Sequence, residues 1–128
     1  MPLTRITAGD CYNPEQLRTI GDVLHRCLVS EFAVPVDDRF QIIHRLATGE
    51  FSYNPGYLSG GRSERCILFE ITAGRPRNRM QKQQFYRSLT SDLQQAAGVR
   101  PDDVLIIITF NSSDDWSFSQ GIMLSEVP

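Results

Sequence analysis

Displaced by 65 residues, the sequence falls on itself: Ile6 to Arg45 aligns with Ile71 to Phe110 without a gap. "ITAG" at Ile6–Gly9 returns at Ile71–Gly74, and Asn13, Gln16, Leu24, Leu28, Val34, Asp37, Asp38, Ile42 and Ile43 each meet an identical residue. Thirteen of forty positions agree, where unrelated segments would give about two or three. The register also carries "FSY" (Phe51–Tyr53) onto "WSF" (Trp116–Phe118). A tandem duplication constrains the fold more than any other feature, because whatever unit one copy forms the other must form too.

Each copy reads as strand, helix, strand. "PLTRITA" and "RCILFEITA" give the first strands, "RFQIIHRLA" and "DVLIIITF" the second, all rich in β-branched residues and bounded by turn formers. Between them "NPEQ" and "NRMQ" place Asn at an N-cap and Gln three residues on, with Pro14 first in the helix of copy one; this is capping-box spacing. Leu17, Ile20, Leu24, Cys27 and Leu28 line one helical face, as do Phe85, Leu89, Leu93, Ala96 and Ala97 in copy two. Strand, crossover helix and strand make a right-handed parallel unit. The expectation is therefore an α/β (α+β) chain: two duplicated β-α-β units forming a four-stranded sheet with two helices on one face. It is read as a single domain over residues 1–128, with repeats at about 2–60 and 65–118 and a C-terminal tail. "DVLIIITF" is apolar on consecutive positions, so its second face should meet another subunit in a homo-oligomer.

Composition narrows the function classes. Thirteen Lys and Arg against 15 Asp and Glu give a net charge of -2, which argues against nucleic acid or an anionic membrane as partner; any basic site must be local. Cys11, Cys27 and Cys66 are an odd set without CxxC spacing, and His25 and His44 are the only histidines, so neither a disulfide framework nor a metal site is expected. No apolar run reaches a membrane span and "MPLTRITAGD" has no signal-peptide core, which points to a soluble, cytoplasmic protein.

What both copies keep is structural; what one adds is a candidate for function. Arg75 and Arg77 stand where copy one has Asp10 and Tyr12. In an extended Arg-Pro-Arg run their side chains leave on the same side, and with the helix start at Asn78 they are expected to bind an anion; a solvated basic turn is the alternative. Pro2 replaces the ordinary strand residue Ile67. Removal of Met1 would free its secondary amine, able to move a proton or form an iminium with an aldehyde, whereas a chain keeping Met1 locks that nitrogen in an amide. Asp38 recurs as Asp103, so a turn role competes with a chemical one, and Trp116 and Phe118 are either pocket walls or core aromatics.

Pro2, "VPVDDRFQI", "GRPRN", "PDDV" and "NSSDDWSF", taken in order from Pro2 to about Gly121, resemble the tautomerase superfamily and within it the malonate semialdehyde decarboxylase branch. The resemblance implies a tautomerase-like fold, a homotrimer and no metal or organic cofactor. It also implies Pro2 as catalytic amine, Asp38 as a catalytic residue beside it, Arg75 and Arg77 as catalytic residues that bind the substrate carboxylate, and Trp116 and Phe118 as the substrate-binding pocket wall. The tail "IMLSEVP" from Ile122 does not match. The implied reaction is decarboxylation of a 3-oxo acid such as malonate semialdehyde. Alternatives are a keto-enol tautomerase or hydratase of a 2-oxo or unsaturated acid, and a non-catalytic trimeric module binding a small carboxylate.

Overall fold

The computed structural model describes residues 1–128. In chain order they form β1 (Pro2–Gly9), α1 (Pro14–Phe32), β2 (Phe40–Leu46), β3 (Ile67–Ala73), α2 (Arg79–Ala97) and β4 (Val104–Phe110). Both helices are 19 residues long and start one repeat apart. At each start an Asn side chain accepts from the third helical N–H while that residue's Gln reaches back to the cap amide, at Asn13/Gln16 and Asn78/Gln81. At each end a left-handed residue, Ala33 or Gly98, stops the helix, and the next residue's amide, of Val34 or Val99, donates back to Leu28 or Leu93. No helix is long and apolar enough to cross a membrane.

The sheet order is β2-β1-β3-β4. β1 with β2 and β3 with β4 are parallel, as crossover helices require, while β1 and β3 join the copies antiparallel. In that join Arg5 lies opposite Glu70, its own repeat counterpart, so a pseudo-twofold axis passes between them. The same axis runs between the helices, where the Cys27 thiol donates to its counterpart Asp92 at 3.4 Å. Burial, then Asp92, push that thiol's pKa up to about 12.

Both helices pack on one face. Ile6, Phe69 and Ile71 of the sheet meet Leu17, Ile20 and Leu24 of α1 and Phe85, Leu89 and Leu93 of α2 in one core, each large side chain contributing about 1.5–3 kcal/mol by leaving water. The apolar stripe of α2 is shorter than its sequence suggests. Ala96 is exposed and Ala97 half-buried, because Val99 folds back past Gly98 and seals that end itself.

The second face carries no helix. Leu3, Phe40, Ile42, Leu68, Leu105 and Ile107 point there with Arg5, His44 and Glu70 among them, and Ile107 is 55% exposed. A β-branched edge residue in water beside other apolar residues on one sheet face is surface suited to a partner.

Candidate active site

Because β3 runs against β1, the first residue of β1 meets the last of β3 and β4. Pro2 pairs with Ala73 and Ala73 with Phe110, and the Gly74 amide donates to the Met1 carbonyl at 3.2 Å. This end of the sheet gathers Pro2, Asp38, Arg75, Arg77, Trp116 and Phe118.

Asp38 sits in the turn after α1, its amide donating to Pro35. Its Oδ2 forms an ion pair with the Met1 ammonium, while Oδ1 is buried without any partner. Leaving a carboxylate oxygen without a partner is costly, so Oδ1 is a bare acceptor beside the amine of Met1, the residue that precedes Pro2.

The arginines leave on the same side, as an extended run requires, but their heads turn to the end of α1 rather than to the start of α2. Arg77 Nη2 donates to the Phe32 carbonyl at 2.7 Å and Arg75 Nη2 to the same oxygen at 3.4 Å. The reason is the helix dipole: the last turn of α1 holds no basic residue of its own, and its free carbonyls attract cations that the start of α2 would repel. Arg77 is buried, with its guanidinium over the Phe32 ring at 5.1 Å and its Nε unpartnered. Burial, then the charge of Arg75, lower its pKa, yet a guanidinium stays protonated. Neither arginine has a carboxylate within ion-pair distance, so the helix-end carbonyl is shared by two cations without a carboxylate partner.

The aromatic pair Trp116 and Phe118 lies in the chain after β4. Asn111 is fixed by its amide on Ala73 (2.9 Å), and its Oδ1 accepts from Trp116 Nε1 at 2.6 Å. Asp115 closes the intervening turn by accepting from Ser112. Trp116 stacks on Phe118 (5.6 Å between ring centres), which packs on Phe40 (5.4 Å). Phe118 is 44% exposed, so this aromatic ladder is surface rather than core. The indole lies so close over Gly74 that an added Cβ would stand 2.7 Å from Nε1.

Sequence reasoning misses Gly74 and Asn111. Gly74 recurs as Gly9 and so reads as structural; Asn111 stands against Leu46, an asymmetry that could have marked it. Phe32, Phe40 and Phe110 join the site only through pairing across the fold.

The family model described as tautomerase enzyme matches residues 38–119. The chain belongs to this family. Among curated proteins it is 34% identical to the probable tautomerase YusQ of Bacillus subtilis (strain 168) over 121 residues, covering 94% of this chain and 95% of the relative. Among solved structures it is similar to malonate semialdehyde decarboxylase, with 33% identity, a TM-score of 0.88, and coverage of 94% of this chain and 92% of the other. It also superposes on a symmetric trimer of a fused 4-OT at TM-score 0.77 and 14% identity, covering 96% of each chain, a likeness of fold alone. The protein is a tautomerase-superfamily enzyme with that superfamily's four-stranded, two-helix fold.

Proposed function

We propose that this enzyme uses the amine of Pro2, freed by removal of Met1, to decarboxylate a small 3-oxo acid such as malonate semialdehyde without a cofactor. The observation that carries the reading is the gathering, at one end of the sheet, of a chain-terminal amine on Asp38 and two guanidinium groups with no carboxylate of their own. It is supported by the decarboxylase and hydratase activities described for the similar solved protein, which was also solved with its first-residue proline exchanged for alanine.

In this reading Arg75 and Arg77 grip the substrate carboxylate, setting the bond to be broken in line with the carbonyl π-system. Pro2, protonated or as an iminium, draws the electron pair released when that carbon–carbon bond breaks. An enol takes up one proton at carbon and gives acetaldehyde directly; an enamine takes up one proton to become an iminium, which water hydrolyses, replacing the water lost when the first iminium formed. Either way malonate semialdehyde and one proton give CO2 and acetaldehyde, and the amine is regenerated. Asp38 favours the charged amine, while the arginines oppose it. Trp116 and Phe118 limit water. We further propose a homotrimer whose subunits cover the bare sheet face.

The name of the Bacillus relative, a probable tautomerase, favours a second reading in which neutral Pro2 shuttles a proton on a 2-oxo acid. Mass-verified processed protein, assayed in parallel for CO2 from malonate semialdehyde and for ketonisation of an aryl enolpyruvate, separates the two. Dominant CO2 release supports the proposal; ketonisation with no CO2 overturns it in favour of the tautomerase.

A further inference from the structure

The pseudo-twofold axis that relates the copies also relates the two ends of the sheet, so the Pro2 end has a counterpart where β1 finishes and β3 begins. There Gly9 replaces Gly74, Asp10 replaces Arg75, Cys11 replaces Pro76, and Phe51 and Tyr53 replace Trp116 and Phe118. These residues line a cavity of about 160 Å³, completed by Glu64 and the Ala47–Gly49 turn. We propose that this cavity is a second binding site, selective for a small organic cation.

Three observations carry the assignment. The cavity is open because its aromatic does not close it: a Cβ on Gly9 would find nothing nearer than the Glu64 carbonyl at 3.5 Å and Cys11 Sγ at 3.6 Å, whereas on Gly74 it would strike Trp116. Its aromatic walls are rigid, with Phe51 and Tyr53 edge to face at 4.8 Å between centres and the Tyr53 hydroxyl bonded to the Ser63 carbonyl. Its lining reverses the charge: it holds Asp10 and Glu64, which take part in no ion pair, and no basic residue. The arginines nearest to it are held outside that lining. Arg45 donates to Tyr12 and Asp10 main-chain oxygens at 2.6 and 3.0 Å, and Arg65 lies over the Tyr12 ring at 4.1 Å.

Ring faces beside carboxylates attract an ammonium group through cation–π and Coulomb terms together, and substituted ammoniums best because they lose less hydration. A carboxylate like the one sought at the Pro2 end would be repelled here. The site needs nothing from the chemistry at Pro2 and stands or falls separately from it.

The test is a titration of the whole protein with choline, followed by amide shifts in 1H–15N NMR, beside the neutral isostere 3,3-dimethylbutan-1-ol. We expect saturable shifts at Asp10, Cys11, Gly49, Phe51 and Glu64, and about tenfold weaker binding of the alcohol. Asp10→Asn with Glu64→Gln, and separately Phe51→Leu, should each weaken choline about tenfold in samples whose melts show a folded chain. Equal binding of choline and the alcohol, shifts confined to the Pro2 end, or no saturation at tens of millimolar choline would each overturn the site.

Discussion

At one end of the sheet Asp103 is fully buried, with Ser63 donating its amide at 2.6 Å and its hydroxyl at 2.7 Å to the two carboxylate oxygens. At the other end its repeat counterpart, Asp38, holds the Met1 amine on one oxygen and nothing on the other. Duplication delivered the same carboxylate twice. The segment leading into β3 saturates one copy, and where Met1 stands in its place the other copy keeps one oxygen without a partner. Positions 12 and 77 repeat the lesson, since both are buried. Desolvation drives the Tyr12 phenol up to about 12 and the Arg77 guanidinium down, but only the arginine keeps its charge at neutral pH.

The largest effect that could break this comparison is loss of the amine. Protein proven by intact mass to keep Met1 should lose turnover by about 10²- to 10⁴-fold, the scale of acid–base assistance. Full activity in such protein would return Pro2 to an ordinary strand role.

Arg75→Ala comes next. Removing one charge-assisted bond to a carboxylate should lower kcat/KM by about 1.5–3 kcal/mol with little change in Tm, because its contact to Phe32 is long at 3.4 Å. Arg77→Ala should lose similar turnover and, unlike Arg75→Ala, about 1–3 kcal/mol of stability, since a buried helix-end carbonyl loses its donor. Tyr12→Phe, at the counterpart position, should cost stability through the lost bond to the Arg65 carbonyl (2.6 Å) and leave turnover per folded molecule unchanged. Equal turnover losses for Tyr12→Phe and Arg77→Ala would make both structural.

Asn111→Ala should be milder. Freeing the indole is expected to cost about 1 kcal/mol in kcat/KM and to shift the emission of Trp116, the only tryptophan, with Asn111→Asp restoring both because it keeps the acceptor. An unmoved emission would mean that Asn111 does not position the wall.

The smallest contrast lies in the helix caps. Ala33 is left-handed at φ 54°, where copy two has Gly98 at φ 65°. Ala33→Gly should stabilise by up to about 1 kcal/mol and Gly98→Ala should destabilise by a similar amount, read from denaturant midpoints. A loss of stability in Ala33→Gly, or a gain in Gly98→Ala, would show that the two caps are not equivalent.

Much of the fold is legible in the amino-acid sequence alone. Asn13 and Asn78 mark both helix starts, the strands lie where β-branched runs place them, and the asymmetries at Pro2, Arg75 and Arg77 point to one end of the molecule. What stays hidden depends on contacts distant in sequence. A repeat states that β1 and β3 are alike but not that they pair antiparallel, which alone brings Pro2 to Ala73. The arginines' partner is a carbonyl at Phe32, and no local rule connects residue 77 to it. The spare oxygen of Asp38 is equally invisible, because the identical residue at 103 is satisfied.

Whether the Pro2 end, and not its counterpart, takes a small carboxylate can be decided by titrating processed protein with malonate, a non-reacting analogue, and reading amide and indole N–H shifts at both ends of the sheet. Saturable shifts are expected at Asp38, Gly74, Asn111 and Trp116, weakened at least about tenfold by Arg75→Ala, with Asp10, Gly49 and Phe51 unmoved. Shifts centred on Asp10 and Phe51, or shifts at the Pro2 end that Arg75→Ala leaves intact, would contradict that assignment.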